Sequence, residues 1–350
     1  MTSLNLPIVV NVRGLSAPLS GTVRYAKELL ARWKGCAEAV SPRGCARGIS
    51  GHAWEQVVLP RRVHDRLLFS PSNTGPLAVE NQIVTMHDMA AFDCGNSFSL
   101  PFEAWYRILL PRLAQRVRRI ITVSTFVKER ILAHTNVHPT KITVIPNGVS
   151  AEFSPTAISK LDSSVSALGL PSRNYVLSVG SADPRKNLAR LFQAWDRAQS
   201  WMSEDIWLVV VGPDNSRVFR DTSTESLPAR VLFLGYVQDH LLPALYAGAL
   251  AMAYVSIYEG FGLPALEAMA SGTAVLAGNR SSLPEVVGDA GLLIDPFDVE
   301  SIEAGMRRIL EDSALRSELR ERGIARANEF SWDRTAQTTW DVLQSVSAAN

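Results

Sequence analysis

Cysteine is scarce in this chain of 350 residues: Cys36, Cys45 and Cys94 are the whole supply. Three thiols without CxxC or Cys/His spacing argue against a disulfide framework or a zinc site, and read as reduced cysteines of a cytoplasmic protein. Net charge is equally slight. Lys and Arg total 35 against 34 acidic residues, a formal +1, so nothing in the balance points to nucleic acid, and any basic function must be local. No run reaches the ~18 uninterrupted apolar residues of a spanning helix. Met1 to Leu6 shows no basic-then-apolar leader, so a soluble protein without a signal peptide is expected. The P-loop pattern, HExxH, GxSxG and an EF-hand loop are absent, and no DxD-like triplet stands at a strand end to hold a divalent metal. What is present is a globular composition, 47% hydrophobic and 20% charged, with length enough for two domains.

Short apolar runs alternate with helical patterns along the chain. Ile8 to Val12, Gln82 to Met86, Arg119 to Ser124 and Ile142 to Pro146 read as strands of buried parallel type. A helix is expected from about Thr22, with others over Phe102 to Val117 and Thr125 to His134. Residues 36–80 carry little periodic signal. After a Ser- and Pro-containing stretch the alternation restarts, with strand-like runs over 175–180, 207–212, 231–235, 249–255, 273–277 and 291–294. Strands alternating with helices predict an α/β fold of two Rossmann-like βαβ domains. The boundaries expected are 1–155, a linker at 156–172, a second domain at 173–329, and an amphipathic C-terminal helix over 330–350.

The most informative stretch runs from Tyr258 to Gly272, YEGFGLPALEAMASG. Gly260 and Gly262 allow a tight turn and close approach to a ligand. Pro264 suits the start of a helix, and Gly272 is placed to end it. The unpaired N–H groups of such a helix start form a ready anion site. Two carboxylates bracket it, Glu259 and Glu267, and these suit neutral hydroxyls better than a second anion. A phosphate flanked by hydroxyls describes a sugar nucleotide.

Three other segments carry candidate chemistry. Arg185 and Lys186 in GSADPRKNL follow the strand at 175–180; cations at a helix start oppose its dipole and suggest an anion that offsets them, the alternative being a solvated turn. His87 and Asp88 end the strand at 82–86, where the pair would move a proton or orient a hydroxyl, or else simply cap the loop. Residues 105–119 hold five arginines among apolar residues, which reads either as a core-packed helix with a solvated basic face or as a surface for an anionic membrane. The loop from Arg13 to Gly21 follows a strand without the GxGxxG pattern.

These residues together resemble a known family. Glu259, seven residues, then Glu267, within EGFGLPALEAMASG, is similar to the E-x7-E signature of retaining glycosyltransferases of family 4, which have the GT-B fold. SVGSADPRKNL at 178–188 resembles the diphosphate-binding turn of that family, and FSWDRTA at 330–336 its terminal helix. TVSTFVKERI at 122–131, VIPNGVSAEF at 144–153, LFLGYVQDHLLPALYAGA at 232–249 and SSLPEVVGDAGLLIDP at 281–296 extend the match in order from His87 onward. HDMAAF, WYRILLP and WEQVVLP further resemble a bacterial subgroup of mannosyltransferases in O-antigen or exopolysaccharide assembly.

The resemblance implies two domains facing across a cleft, with the last helix crossing back to the first. It implies transfer of a sugar, mannose from GDP-mannose as first guess, to a hydroxyl of a glycan or polyprenyl-linked glycan, with retention and without a metal or other cofactor. Glu267 would bind the ribose, Glu259 the donor sugar, and the N–H groups of Phe261, Gly262 and Leu263, beside Gly260, the phosphate and sugar. Arg185 and Lys186 would neutralise the diphosphate. His87 would lie near the reacting oxygen. Gly21 would close over the donor phosphates, with Ser20-Gly21-Thr22 standing where a double glycine is common. The expected location is the cytoplasm, with peripheral contact at the inner membrane through residues 105–119. The rival readings are a nucleotide-sugar epimerase or a phosphorylase of the same fold, or a sugar-nucleotide-binding subunit without catalysis. Incubation of donor alone separates the epimerase.

Overall fold

The computed structural model describes residues 8–16, 20–42, 44, 48–160, 168–170, 174–212 and 227–348. Met1 to Leu6, Cys45, part of the Arg13–Gly21 loop and much of the 156–172 stretch lie outside the described residues. Two compact units make up the chain: Met1–Gly148 with Ser331–Asn350, and Val149–Phe330. The units divide at 148/149, ahead of the 155/156 boundary read from composition. The start of the expected linker is a 3-10 helix, Pro155–Lys160, within the second unit.

Each unit is built on a six-stranded, all-parallel sheet, the α/β architecture expected. In the first, β1 (Ile8–Asn11), β2 (Ala37–Val40), β3 (Leu68–Ser70), β4 (Gln82–Met86), β5 (Arg119–Thr122) and β6 (Ile142–Val144) lie in the order β2-β1-β3-β4-β5-β6. In the second, β7 (Tyr175–Val179), β8 (Trp207–Val211), β9 (Val231–Gly235), β10 (Ala251–Tyr254), β11 (Ala274–Gly278) and β12 (Leu292–Ile294) lie in the order β12-β11-β10-β7-β8-β9. Central strands such as β4, β10 and β11 are buried along their whole length. Helices cover both faces of such a sheet, so these strands are apolar throughout rather than alternating.

Strand order reverses once in each sheet, between β1 and β3 in the first and between β7 and β10 in the second. The connections there leave in opposite directions and open a crevice at the carboxyl ends of the strands, where ligands bind in open α/β sheets. That topology decides where chemistry can sit.

The core of the second unit packs Leu191, Trp195 and Ala198 of helix Leu188–Ala198 with Met306 and Ile309 of helix Val299–Glu311 against β7, β8, β10 and β11. In the first unit Leu110, Leu113 and Ala114 of helix Leu100–Arg116 cover Val84, Met86 and Ile120. The C-terminal helix, Trp332–Ala348, belongs to the first unit. Its Trp332 and Trp340 meet Tyr25 and Trp33 with ring centroids 6.2 and 5.3 Å apart. The Trp33 indole donates to the Ala336 carbonyl at 3.2 Å, and Thr335 Oγ1 to the Pro146 carbonyl at 2.7 Å. Gly148 lies so close that a Cβ there would stand 2.0 Å from Trp332 N.

Candidate active site

The Tyr258–Gly272 stretch folds as its residue types dictate. The helix runs Leu263–Ala270, with Pro264 in its first turn and Gly272 beyond its end at φ 70°. Gly262 caps its start at φ 104°, and a Cβ there would come within 2.7 Å of Leu283 Cδ2. Only glycine meets both conditions. Two serines pin the loop: Ser281 Oγ accepts from Glu259 N at 2.9 Å, and Ser282 Oγ donates to the carbonyls of Glu259 and Phe261 at 3.0 and 2.9 Å. Among the described residues none accepts from the N–H groups of Phe261, Gly262 or Leu263. Three donors therefore converge at the positive end of a helix, a setting suited to an anion.

The Glu259 side chain lies across the β7/β10 crevice. Its Oε1 takes Lys186 Nζ at 2.6 Å and the Tyr254 hydroxyl at 2.7 Å, while Lys186 Nζ also donates to Tyr254 Oη at 3.1 Å. One phenol thus donates to the carboxylate and accepts from the ammonium. Burial first, and the Glu259 charge second, push the Tyr254 pKa well above its usual value, so the phenol remains a donor. Tyr254 ends β10, and a tyrosine in an otherwise apolar strand reads as core; no signal in the sequence set it apart. Lys186 carries three N–H donors, and this arrangement engages two of them.

Arg185 and Lys186 stand in a 3-10 turn, Pro184–Lys186, and the helix proper begins at Leu188. The anion that offsets Arg185 is internal. Asp183 grips the guanidinium through Nε at 3.1 and 3.0 Å and Nη2 at 2.6 Å. Burial alone would raise the Asp183 pKa, but its hydrogen bonds with Arg185 and the charge of that group hold it below the usual carboxylate range. The turn is fastened by Asn187 at φ 60°, whose amide donates to the carbonyls of Val255 and Pro296 at 3.1 and 2.6 Å. Glu267, 6% exposed, accepts at Oε2 from the Tyr246 hydroxyl at 3.1 Å. The structure so brings Arg185, Lys186, Glu259, Phe261, Gly262 and Leu263 onto the loops following β7 and β10, with Glu267 in the helix behind them.

The first unit holds the other two predicted site residues. His87 follows β4 and is buried, with Nε2 2.9 Å from the Pro71 carbonyl and its backbone N–H donating to Asn73 Oδ1 at 2.6 Å. A carbonyl only accepts, so the ring proton is on Nε2 and the lone pair on Nδ1. Burial lowers the His87 pKa more than the Pro71 bond and the Asp88 charge raise it, keeping the ring neutral. Asp88 caps Ala90 N at 3.1 Å rather than bonding the imidazole, so the two are not a relay. Gly21 opens helix Gly21–Arg32 behind the Ser20 cap. It stands next to Thr22, which with Asn11, Gly14, Leu15, Pro71 and Ser72 lines a shallow cleft open to solvent.

Helix Leu100–Arg116 buries Leu109, Leu110 and Leu113, and its arginines are partly engaged: Arg107 pairs with Glu103 at 2.7 Å and Arg116 with Glu80 at 3.0 Å. Leu100 and Ile108 are exposed. No helix among the described residues is long and apolar enough to cross a membrane.

Residues 165–326 match the family model of glycosyl transferases group 1, and residues 59–153 that of glycosyltransferase family 4. The chain is 33% identical over 294 residues to the O-antigen chain mannosyltransferase B of Escherichia coli, covering 82% of this chain and 76% of that protein. To the O-antigen chain mannosyltransferase RfbU of Salmonella typhimurium it is 31% identical over 255 residues, 72% of this chain and 67% of the relative. The Anabaena HepE structure in complex with UDP and glucose shares the fold at a TM-score of 0.77 and 18% identity, across 97% of this chain and all of that one. The two sheets, the Glu259–Glu267 segment and this pattern of relatives lead to one statement: the chain belongs to glycosyltransferase family 4.

Proposed function

We propose that this glycosyltransferase moves mannose from GDP-mannose to a hydroxyl of a glycan or lipid-linked glycan in surface-polysaccharide assembly, with retention at the anomeric carbon and without a metal ion. The carrying observation is the Lys186–Tyr254–Glu259 cluster beside the unpaired N–H groups at 261–263. Oε1 of Glu259 is taken up by the protein, and Oε2 makes no hydrogen bond to any described residue. That oxygen reads a hydroxyl of the donor sugar. Lys186, the three N–H groups and Arg185 receive the diphosphate, whose charge grows as the glycosidic bond breaks, and they replace the Lewis acid a metal would supply. Glu267, held by Tyr246, binds the ribose. The leaving phosphate oxygen takes the acceptor proton on the face the acceptor attacks, which retains configuration.

Mannose rests on the identity to the two O-antigen mannosyltransferases. Exposed Leu100 and Ile108 on an arginine-bearing helix support peripheral contact with an anionic inner-membrane surface from the cytoplasm. The test is a panel of nucleotide sugars with purified protein, with and without EDTA, followed by the anomeric configuration of the product. Preference for another sugar removes mannose, loss of turnover in EDTA removes metal independence, and an inverted product removes the same-face step. Sedimentation with vesicles of anionic lipid tests the membrane contact, and a soluble fraction unchanged by lipid contradicts it.

A further inference from the structure

Four non-glycine residues among those described have left-handed backbone: His64, Asn187, Arg230 and Ser281, at φ 51°, 60°, 59° and 56°. His64 closes helix Leu59–Val63, and Arg230 leads into β9. The other two grip the loop that follows β10, and they reach it from the two strands that flank β10 in the sheet. Asn187, after β7, donates to the Val255 carbonyl at 3.1 Å where that loop begins. Ser281, after β11, accepts at Oγ from Glu259 N at 2.9 Å farther along it.

Asparagine enters the left-handed region readily, because its short amide hydrogen-bonds locally. A serine there crowds its Cβ against the backbone, a cost the surroundings must offset. Glycine would take the same φ freely. What glycine lacks is the oxygen. Ser281 Oγ donates its proton to the Arg280 carbonyl at 2.7 Å, which leaves a lone pair for Glu259 N. No other described residue accepts from that N–H. The neighbouring Ser282 holds the carbonyls of Glu259 and Phe261 from ordinary backbone at φ −80°, so the strain belongs to the one serine that serves the N–H. Fixing the Glu259 main chain fixes its Cα–Cβ direction. With Oε1 held by Lys186 and Tyr254, that direction decides where Oε2 points.

We propose that Ser281 is a strained positioning residue for the transfer reaction. It gives up backbone stability to hold Glu259 N, and so sets the carboxylate that meets the donor sugar. Left-handed non-glycine backbone persists at functional sites where the surrounding structure over-determines it, and here two serines, a lysine and a tyrosine do so. The inference rests on the reading of Glu259 as the group that meets the donor sugar.

Three variants of the full chain separate the backbone from the oxygen. Ser281→Gly removes the oxygen and the strain, Ser281→Ala removes the oxygen and keeps the strain, and Ser281→Asn offers an acceptor in a residue that tolerates left-handed backbone. The glycine and alanine variants should both lose about three- to tenfold in kcat/KM for GDP-mannose, the worth of one hydrogen bond, with GDP affinity unchanged, and the asparagine variant should recover part of that loss. Stability should follow the backbone instead, with a higher denaturant midpoint for Ser281→Gly than for Ser281→Ala. Hydrogen–deuterium exchange at Glu259 should quicken in both. A kcat/KM for Ser281→Gly within about twofold of the parent, an equal loss of GDP affinity, activities that rank with stability, or unchanged exchange at Glu259 overturns the proposal. If the parent turns over no nucleotide sugar while exchange at Glu259 still quickens in both variants, the donor reading fails and Ser281 still sets Glu259.

Discussion

Replacing Tyr254 by Phe removes one oxygen from the β7/β10 crevice and leaves the ring packed. The lost hydroxyl donates to Glu259 at 2.7 Å and accepts from Lys186 at 3.1 Å. A hydrogen bond to a charged group contributes about 1.5–3 kcal/mol. Lys186 keeps its own contact with the same carboxylate oxygen at 2.6 Å, so part of the restraint on Glu259 survives. A net loss of about 1–2 kcal/mol follows, which lowers kcat/KM for the donor roughly 5- to 30-fold. GDP lacks the transferred sugar assigned to Glu259 and should bind the variant nearly as before. Steady-state kinetics with the sugar nucleotide, beside calorimetry with GDP, separates the two effects. A kcat/KM within about twofold of the parent, or an equal loss in GDP affinity, refutes the reasoning that Tyr254 sets the sugar-reading carboxylate.

Glu267→Ala should raise the donor KM by roughly 10- to 100-fold, the worth of a carboxylate's hydrogen bonds to hydroxyls; a KM unchanged in steady-state assays removes Glu267 from the ribose. Gly262→Ala forces a Cβ into left-handed backbone 2.7 Å from Leu283 and should destabilise the second unit by about 1–3 kcal/mol, read as a lowered denaturant midpoint, with a parental midpoint contradicting it. His87 is held neutral by burial, so the folded protein binds fewer protons there than the unfolded chain, and stability falls as pH drops below the unfolded histidine pKa of about 6.5. His87→Gln should flatten the part of the melting-temperature profile just below about pH 6.5, and an unchanged slope assigns it to other groups.

Much of the second unit was legible because its elements are long and apolar. β7, β8, β10 and β11 read as continuous runs, and the loop–helix–stop pattern of 258–272 appears in the structure with Gly262 and Gly272 left-handed. Residues 36–80 were opaque for physical reasons. β2 is an edge strand with two exposed residues of four, β3 has only three residues, and a π turn, Trp54–Val58, interrupts the helical period that would have marked Gly48–Val63. Arg185 and Lys186 were placed correctly after β7, yet the anion inferred from their charge is supplied in part by Asp183, two residues ahead of Arg185. Sequence spacing revealed cations at a strand end; only the folded geometry showed that Asp183 and Glu259 already hold them.

The most direct measurement is product analysis after incubating purified protein with GDP-mannose and a mannoside acceptor. NMR of the isolated glycoside should show an α-linked mannose, the configuration of the donor, formed equally well in EDTA. A β-linked product, or release of mannose with no transfer to any acceptor hydroxyl, contradicts the role given to the Lys186–Tyr254–Glu259 crevice.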